Sequence, residues 1–238
     1  MVLLFARFEE MAKKSSKKPE IASVNARQKP GNKTPCPPEV SLQQGIRLRV
    51  DTLLPGYIWV IPNYFSESEC VQWIRYMEDS NASYTQQRST RIMASRECYR
   101  HSFSDADVAA QLFQRLASSC PAALQLLPQL TALACNSNLR MYKYTKGMSF
   151  GKHVDGSDVV AEGVTRMTIL VYLSACEGGA TRFDRPDGQR EVIAYPPTVG
   201  SLLLHLHGDD CLLHQADAVS NGTKYVLRTD LVYPHSRA

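Results

Sequence analysis

His153 and Asp155 stand two residues apart in the run Phe150-Gly151-Lys152-His153-Val154-Asp155-Gly156. On an extended chain residues i and i+2 share a face, so this imidazole and carboxylate can converge on one ion. The pair alone is a weak signal, because His-x-Asp is a common surface arrangement. Two imidazoles and one carboxylate grouped on one side of a metal suit iron(II) and leave three positions open for a chelating co-substrate and O₂. The third ligand must come from a distant segment. His205, His207 and His214 compete for that place.

The segment beyond His214 favours that residue. Gly222-Thr223-Lys224-Tyr225-Val226-Leu227-Arg228 reads as a turn and then a strand, which sets Lys224 10 residues beyond His214. A 2-oxoglutarate molecule that chelates iron through its keto-acid end extends a second carboxylate away from the metal. A buried Lys or Arg is the natural partner for it, through a charge-assisted hydrogen bond. Neither His205 nor His207 has a basic residue at that spacing. Both read as strand-end histidines that pack or face solvent.

The elements that must hold these residues fall into three stretches. Residues 1–45 are rich in Lys, Ser, Pro, Gly and Asn and read as a disordered basic tail. Residues 1–34 carry eight Lys/Arg against three Glu, out of a formal net charge of +4, so the remainder is slightly acidic. The folded part therefore offers no charge-based case for nucleic-acid binding. Lys13-Lys14-Ser15-Ser16-Lys17-Lys18 reads as a solvated extension ahead of a nuclear address.

Residues 46–135 carry a strand at 57–61 and two helices supporting the core. Ser66 and Glu69 form a capping box with Phe65 as staple, opening a helix with Val71, Ile74 and Met77 as its stripe. A second helix begins near Ser104, with Val108, Leu112 and Leu116 on one face and Pro121 closing it. Residues 136–238 change to short β runs, at 139–144, 168–173, 192–194, 201–206 and 225–233, the texture of an antiparallel sandwich or barrel. An α+β chain with a helical layer ahead of a β-rich half results.

The seven cysteines are scattered without a CxxC pair, which fits reduced, mostly buried thiols in a cytoplasmic or nuclear protein. No apolar run approaches the ~20 residues needed to span a bilayer, and the opening residues lack the pattern of a secretory signal.

From about Leu139 to Tyr233 the sequence resembles the prolyl 4-hydroxylase-like branch of the 2-oxoglutarate/iron(II)-dependent dioxygenases. The motifs come in that family's order: Tyr144-x-x-Gly147-x-x-Phe150-x-x-His153-x-Asp155, Tyr172-Leu173-Ser174, Glu177-Gly178-Gly179-Ala180-Thr181-x-Phe183, then His214 with Lys224. The ending His207-Gly208-Asp209-x-Cys211-x-Leu213-His214 is closer to plant and microbial members.

The resemblance implies a double-stranded β-helix (jelly-roll) core and iron held by His153, Asp155 and His214. It implies that Tyr144, Thr181 and Lys224 bind 2-oxoglutarate, with Tyr172 a weaker candidate since a core aromatic would look the same. Arg228, on the same strand face as Lys224, could share the carboxylate or replace Lys224. The implied activity is hydroxylation of an unactivated C–H bond with release of succinate and CO₂. Iron(II), 2-oxoglutarate, O₂ and L-ascorbate are the implied cofactors, and a prolyl residue is the branch-level substrate. The rival expectation is a catalytically silent jelly-roll module that keeps the pocket. Gly178-Gly179 reads as a tight strand connection, since no P-loop signature surrounds it.

Overall fold

The computed structural model describes residues 35–42, 45–90, 94–189 and 192–235, and residues 34–238 form one compact unit. The described residues form sixteen strands and two α-helices. In chain order the strands are β1 (Asp51–Leu54), β2 (Ile58–Ile61), β3 (Ser83–Gln87), β4 (Arg96–Ser104), β5 (Ala134–Cys135), β6 (Asn138–Tyr144), β7 (Phe150–His153) and β8 (Val159–Val160). They continue with β9 (Gly163–Tyr172), β10 (Cys176–Gly178), β11 (Thr181–Phe183), β12 (Ile193–Tyr195), β13 (Leu202–Leu206), β14 (His214–Ala216), β15 (Val219–Gly222) and β16 (Lys224–Tyr233). The helices are α1 (Glu67–Asp79) and α2 (Ala106–Ser119).

The main sheet runs β1-β2-β13-β9-β16-β6-β4-β7-β14-β11-β12, and β10 pairs separately with β15. Strands β11 and β13 lie far apart in that order. Yet the rings of Phe183 on β11 and His205 on β13 are 5.2 Å apart. The sheet therefore curls round to face itself, which is the jelly-roll core expected from the sequence.

Strand alternation decides what lines each side of the wall. On β16, Leu227 and Leu231 turn outward into the large core shared with the helices. Lys224, Val226 and Arg228 turn into the barrel. Trp73 and Met77 of α1, Leu112 and Leu116 of α2, and Met141, Ile169 and Leu204 of the sheet fill that outer core. Each such side chain contributes about 1.5–3 kcal/mol on burial, so the helical layer fixes the wall that carries the interior groups.

The capping box at Ser66 and Glu69 forms as expected. The predicted stripe of α1 is corrected: Cys70, Trp73, Tyr76 and Met77 are buried, while Val71 is 45% exposed. Trp73 is the bulkiest group on the helix, and Glu69 turns inward as well, to take a bidentate ion pair from the fully buried Arg115. Helix α2 is capped by Asp105, one residue after the Ser104 position, through the N–H groups of Asp107 and Val108. Pro121 opens a 3₁₀ turn after it.

Residues 1–34 of the expected tail lie outside the described residues. Its described part, residues 35–42, lies against the helices. Val40 is 3% exposed and its N–H donates to Gln111 Oε1 at 2.8 Å, and Ser41 O accepts from Arg115 Nη1 at 3.1 Å. One apolar side chain, two backbone groups and the Ser41 hydroxyl, which donates to Glu69 Oε1 at 3.1 Å, make this docking, too little for composition to reveal. The 46–135 stretch also does more than support the core, because β4 sits between β6 and β7 inside the main sheet. All seven cysteines are free, five of them buried. Among the described residues no helix is long and apolar enough to cross a membrane.

Candidate metal centre

Strand β7 delivers His153 and β14 delivers His214, and the two residues are register partners across that antiparallel pair. Asp155 follows β7 by two residues. Its backbone is pinned by N–H donation to Cys211 Sγ at 3.2 Å and by acceptance from Gly208 N–H at 2.8 Å. Nε2 of His153 lies 3.9 Å from Asp155 Oδ1, and Nε2 of His214 lies 3.7 Å from Oδ2. Ligand atoms of all three fall within 4.8 Å of one another. Such distances exceed hydrogen bonds but suit donors sharing one ion at about 2.0–2.2 Å each.

The far side of each ring sets the tautomer. Nδ1 of His153 lies 2.9 Å from Gly151 O, and Nδ1 of His214 lies 2.9 Å from Leu212 O. Donating Nδ1–H to a carbonyl leaves Nε2 as a bare lone pair, the form that ligates metals. Burial, reinforced by His214, pushes the His153 pKa down to about 4. Burial also lowers that of His214. Both rings are neutral near pH 7. Burial raises the Asp155 carboxyl, but Arg228, His205 and His214 outweigh it and hold the group well below the usual range. One ionised carboxylate and two neutral imidazoles make a donor set that fits iron(II).

His205 corrects the sequence reading. Expected to pack or face solvent at a strand end, it is 2% exposed and inside the site. Its Nε2 lies 3.5 Å from Asp155 Oδ2 with no hydrogen-bond partner, and its ring is 4.6 Å from that of His214. His205, Cys211 and His214 make a second group of convergent donors. His207 is buried too, at 2.5 Å from Thr168 Oγ1 and 3.4 Å from Asp230 Oδ1. A signal existed in the sequence: in Leu202–His207 the histidines share one parity with Leu203, and the other parity faces the helices.

The same cavity extends along β16 to Lys224, lined on the way by Tyr144 and Thr181. Lys224 is 2% exposed and is the register partner of Tyr144. Its Nζ donates to Gly179 O at 2.7 Å and sits 5.6 and 5.5 Å from the ring centres of Tyr144 and Tyr172. Tyr172 Oη and Thr181 Oγ1 are 2.7 Å apart. The Gly178-Gly179 connection takes φ of 70° and 64°, left-handed values that glycine adopts without strain, and this turn aims the Gly179 carbonyl at the lysine. Burial brings the Lys224 pKa down to about 8. Among the described residues no carboxylate lies within ion-pair distance of it.

Arg228, the alternative partner for the co-substrate, is occupied elsewhere. Its Nη1 lies 3.0 Å from Asp155 Oδ1, and Nη2 lies 3.5 Å from Asp230 Oδ1 and donates to Thr168 Oγ1 at 3.4 Å. All eight residues singled out in the sequence thus surround one cavity or touch its lining.

No protein-family model matches the sequence, and no curated protein is detectably similar to it. The fold does match solved structures. It is similar to a viral collagen prolyl hydroxylase from Paramecium Bursaria Chlorella virus-1 in complex with 2OG, with TM-score 0.52 and 16% identity over 75% of this chain and 96% of that one. A truncated form of the same viral protein matches with TM-score 0.51 and 16% identity, over 81% and 98%. A prolyl hydroxylase from Trichoplax adhaerens, bound to a hypoxia inducible factor peptide fragment, matches with TM-score 0.54 and 15% identity, over 74% and 84%. At such identities the likeness is one of fold.

Proposed function

We propose that this chain is an iron(II)- and 2-oxoglutarate-dependent dioxygenase that hydroxylates an unactivated C–H bond, with a peptidyl proline as substrate. One observation carries the reading. A buried lysine without a carboxylate partner shares a cavity with two neutral histidines and an ionised aspartate. A cation so placed is costly unless an anion joins it, and a metal-chelating keto acid with a remote carboxylate supplies one.

When bound, iron(II) and 2-oxoglutarate supply the oxidising chemistry, with O₂ as oxidant, succinate and CO₂ as by-products and ascorbate as reductant outside turnover. The chain's own groups orient and shield it. His153, Asp155 and His214 hold the metal, and Gly151 O and Leu212 O keep both Nε2 atoms aimed. Arg228 and Thr168 fix the Asp155 carboxylate. Lys224 receives the remote carboxylate, with Tyr144 and the Tyr172–Thr181 pair beside it. Phe183, fully buried against His205 and His214, excludes water from that wall.

The Arg228–Asp155 contact favours a second reading, in which that ion pair replaces the metal and the pocket only binds. One experiment separates them. Protein loaded anaerobically with iron(II) is given 2-oxoglutarate, O₂, ascorbate and a capped proline peptide, and succinate release and oxygen gain by the peptide are read. The proposal expects both. Stoichiometric iron binding without any succinate would favour the silent module, and no iron binding would sink the enzyme reading.

A further inference from the structure

Beside the metal centre a second depression of about 460 Å³ opens to solvent, sharing His153, Asp155 and Phe150 with the inner cavity. Arg96, Arg100 and Arg140 line it. Strand pairing explains why they gather. Arg100 on β4 opposes Tyr142 on β6, and Ser102 opposes Arg140, so Arg100 and Arg140 share a face of adjacent strands. Arg96 opposes Phe150 at the β4–β7 junction. Its guanidinium lies 3.9 Å from the Phe150 ring centre, and that ring stacks on His153 at 3.6 Å. One arginine therefore stands a single ring layer from a metal ligand.

Arg100 donates Nε–H to Ser102 Oγ at 2.9 Å and Arg96 lies on Phe150, but neither contact neutralises a charge. Among the described residues none of the three arginines has a carboxylate within ion-pair distance, whereas Arg228 in the same lining has two. Nε of Arg96 and of Arg140 is buried without a hydrogen-bond partner, so any ligand must be met by the terminal nitrogens of the guanidinium forks. Three carboxylates also line the depression: Asp155 and Asp230 are engaged by Arg228, Arg140 adds to the field that holds Asp230 low, and Asp158 lies at the edge outside any ion pair, so three guanidinium groups face one uncommitted carboxylate. General basicity does not explain the cluster, since the chain beyond residue 34 is slightly acidic.

We propose that this groove binds an acidic peptide segment, Arg96, Arg100 and Arg140 holding carboxylates that flank the residue presented to the metal. The inference rests on the dioxygenase reading for what happens to that residue, though not for the binding itself. Planar guanidinium forks match carboxylates bidentately. Three of them on two strands exceed what one α-carboxylate can occupy, which favours a chain of acids over a free amino acid. A nucleic acid is disfavoured because Phe150, the aromatic ring lining the groove, is covered on its faces by Arg96 and His153 and cannot stack with a base.

The test uses the full chain loaded with manganese(II) and 2-oxoglutarate without O₂, titrated calorimetrically with capped Glu-Pro-Glu-Glu, Ala-Pro-Ala-Ala and Lys-Pro-Lys-Lys, free L-glutamate and an eight-residue oligothymidylate. The acidic peptide should bind at least tenfold more tightly than the alanine peptide, and the lysine peptide more weakly still. Arg96→Gln with Arg140→Gln should bring the acidic-to-alanine ratio close to one. Arg100→Gln alone should cut it several-fold, which keeps the test decisive if the double variant fails to fold. Equal binding of acidic and neutral peptides, an unchanged ratio in the variants, or glutamate or oligothymidylate matching the acidic peptide overturns the proposal. If 2-oxoglutarate itself does not bind, the dioxygenase reading fails, and the same titration without it still decides the groove.

Discussion

Replacing Lys224 with methionine separates what the lysine does for binding from what it costs the fold. The folded pKa, about 8, lies below the unfolded value, so the native state holds that proton less firmly. The resulting penalty is full below pH 8 and fades as pH rises toward the unfolded value. At pH 7 it amounts to roughly 3 kcal/mol. Methionine removes the penalty but leaves Gly179 O without the donor it has at 2.7 Å, a loss of about 1–3 kcal/mol. These effects nearly cancel, so the ligand-free protein should melt within a few degrees of wild type. Binding has no such compensation. A buried carboxylate that loses its cation costs about 3–5 kcal/mol, or at least two decades in affinity. Anaerobic calorimetry of the manganese-loaded protein with 2-oxoglutarate measures this directly. Arg228→Ala should weaken 2-oxoglutarate less, because Arg228 is held by Asp155 and Asp230. A loss below tenfold in Lys224→Met, or the reverse order of the two variants, would refute the assignment of Lys224 as the clamp.

Raising the pH through about 8 should weaken 2-oxoglutarate, since the lysine then loses its charge, by about tenfold per unit beyond that point. Lys224→Arg should flatten the profile because its charge persists; parallel profiles would point to another group. His153→Ala and His214→Ala should abolish succinate release and lower metal affinity far more than His205→Ala, for which about 10–100-fold is expected of a residue touching a ligand. A larger loss in His205→Ala would instead favour the His205–Cys211–His214 donor group. Removing residues 1–34 should leave the melting temperature unchanged. Removing residues 1–45 should lower it by several degrees, through loss of the buried Val40 and of the Ser41 carbonyl on Arg115.

Residues obeying short-range rules were legible. The nearness of His153 and Asp155 was legible from their spacing, although Asp155 lies beyond the end of β7 and is held by Cys211 and Gly208, and the start of α1 was legible from its capping box. In the β half the longer apolar runs were legible, β16 almost whole and β9 from residue 168, while the two- to four-residue strands β8, β10, β11, β14 and β15 carry too little pattern to be named. Strand β4 escaped because Arg96–Ser104 holds three charged residues before His101, which mask the alternation of Tyr99, His101 and Phe103 toward the outer core. Its place is set by pairing with β3, β6 and β7. His205 escaped for a related reason. An isolated histidine beside leucines looks like packing, and its approach to Asp155 depends on the sheet curling, which no local pattern encodes.

The charges inside the barrel show why such a site needs ligands to be complete. Asp155, Asp230, Arg228 and Lys224 face inward and sum to zero, yet they are not evenly paired. Arg228 serves both carboxylates, while Lys224, four residues away on the same strand face, serves none. A core selected only for stability would give one of the two carboxylates that share Arg228 to the spare cation, or replace the pair by apolar groups, which is often neutral or favourable. Here the strand geometry holds Lys224 roughly 13 Å from Arg228 and roughly 20 Å from Asp230 by rise along β16, with neutral histidines at one end and tyrosines at the other. On the proposed reading, a divalent metal at the histidines and a dianionic co-substrate toward Lys224 would leave the interior's total charge at zero while giving each group an opposite charge. The buried charges of the chain alone are thus matched in number but not in position, and the proposed metal and keto acid would supply the missing positions.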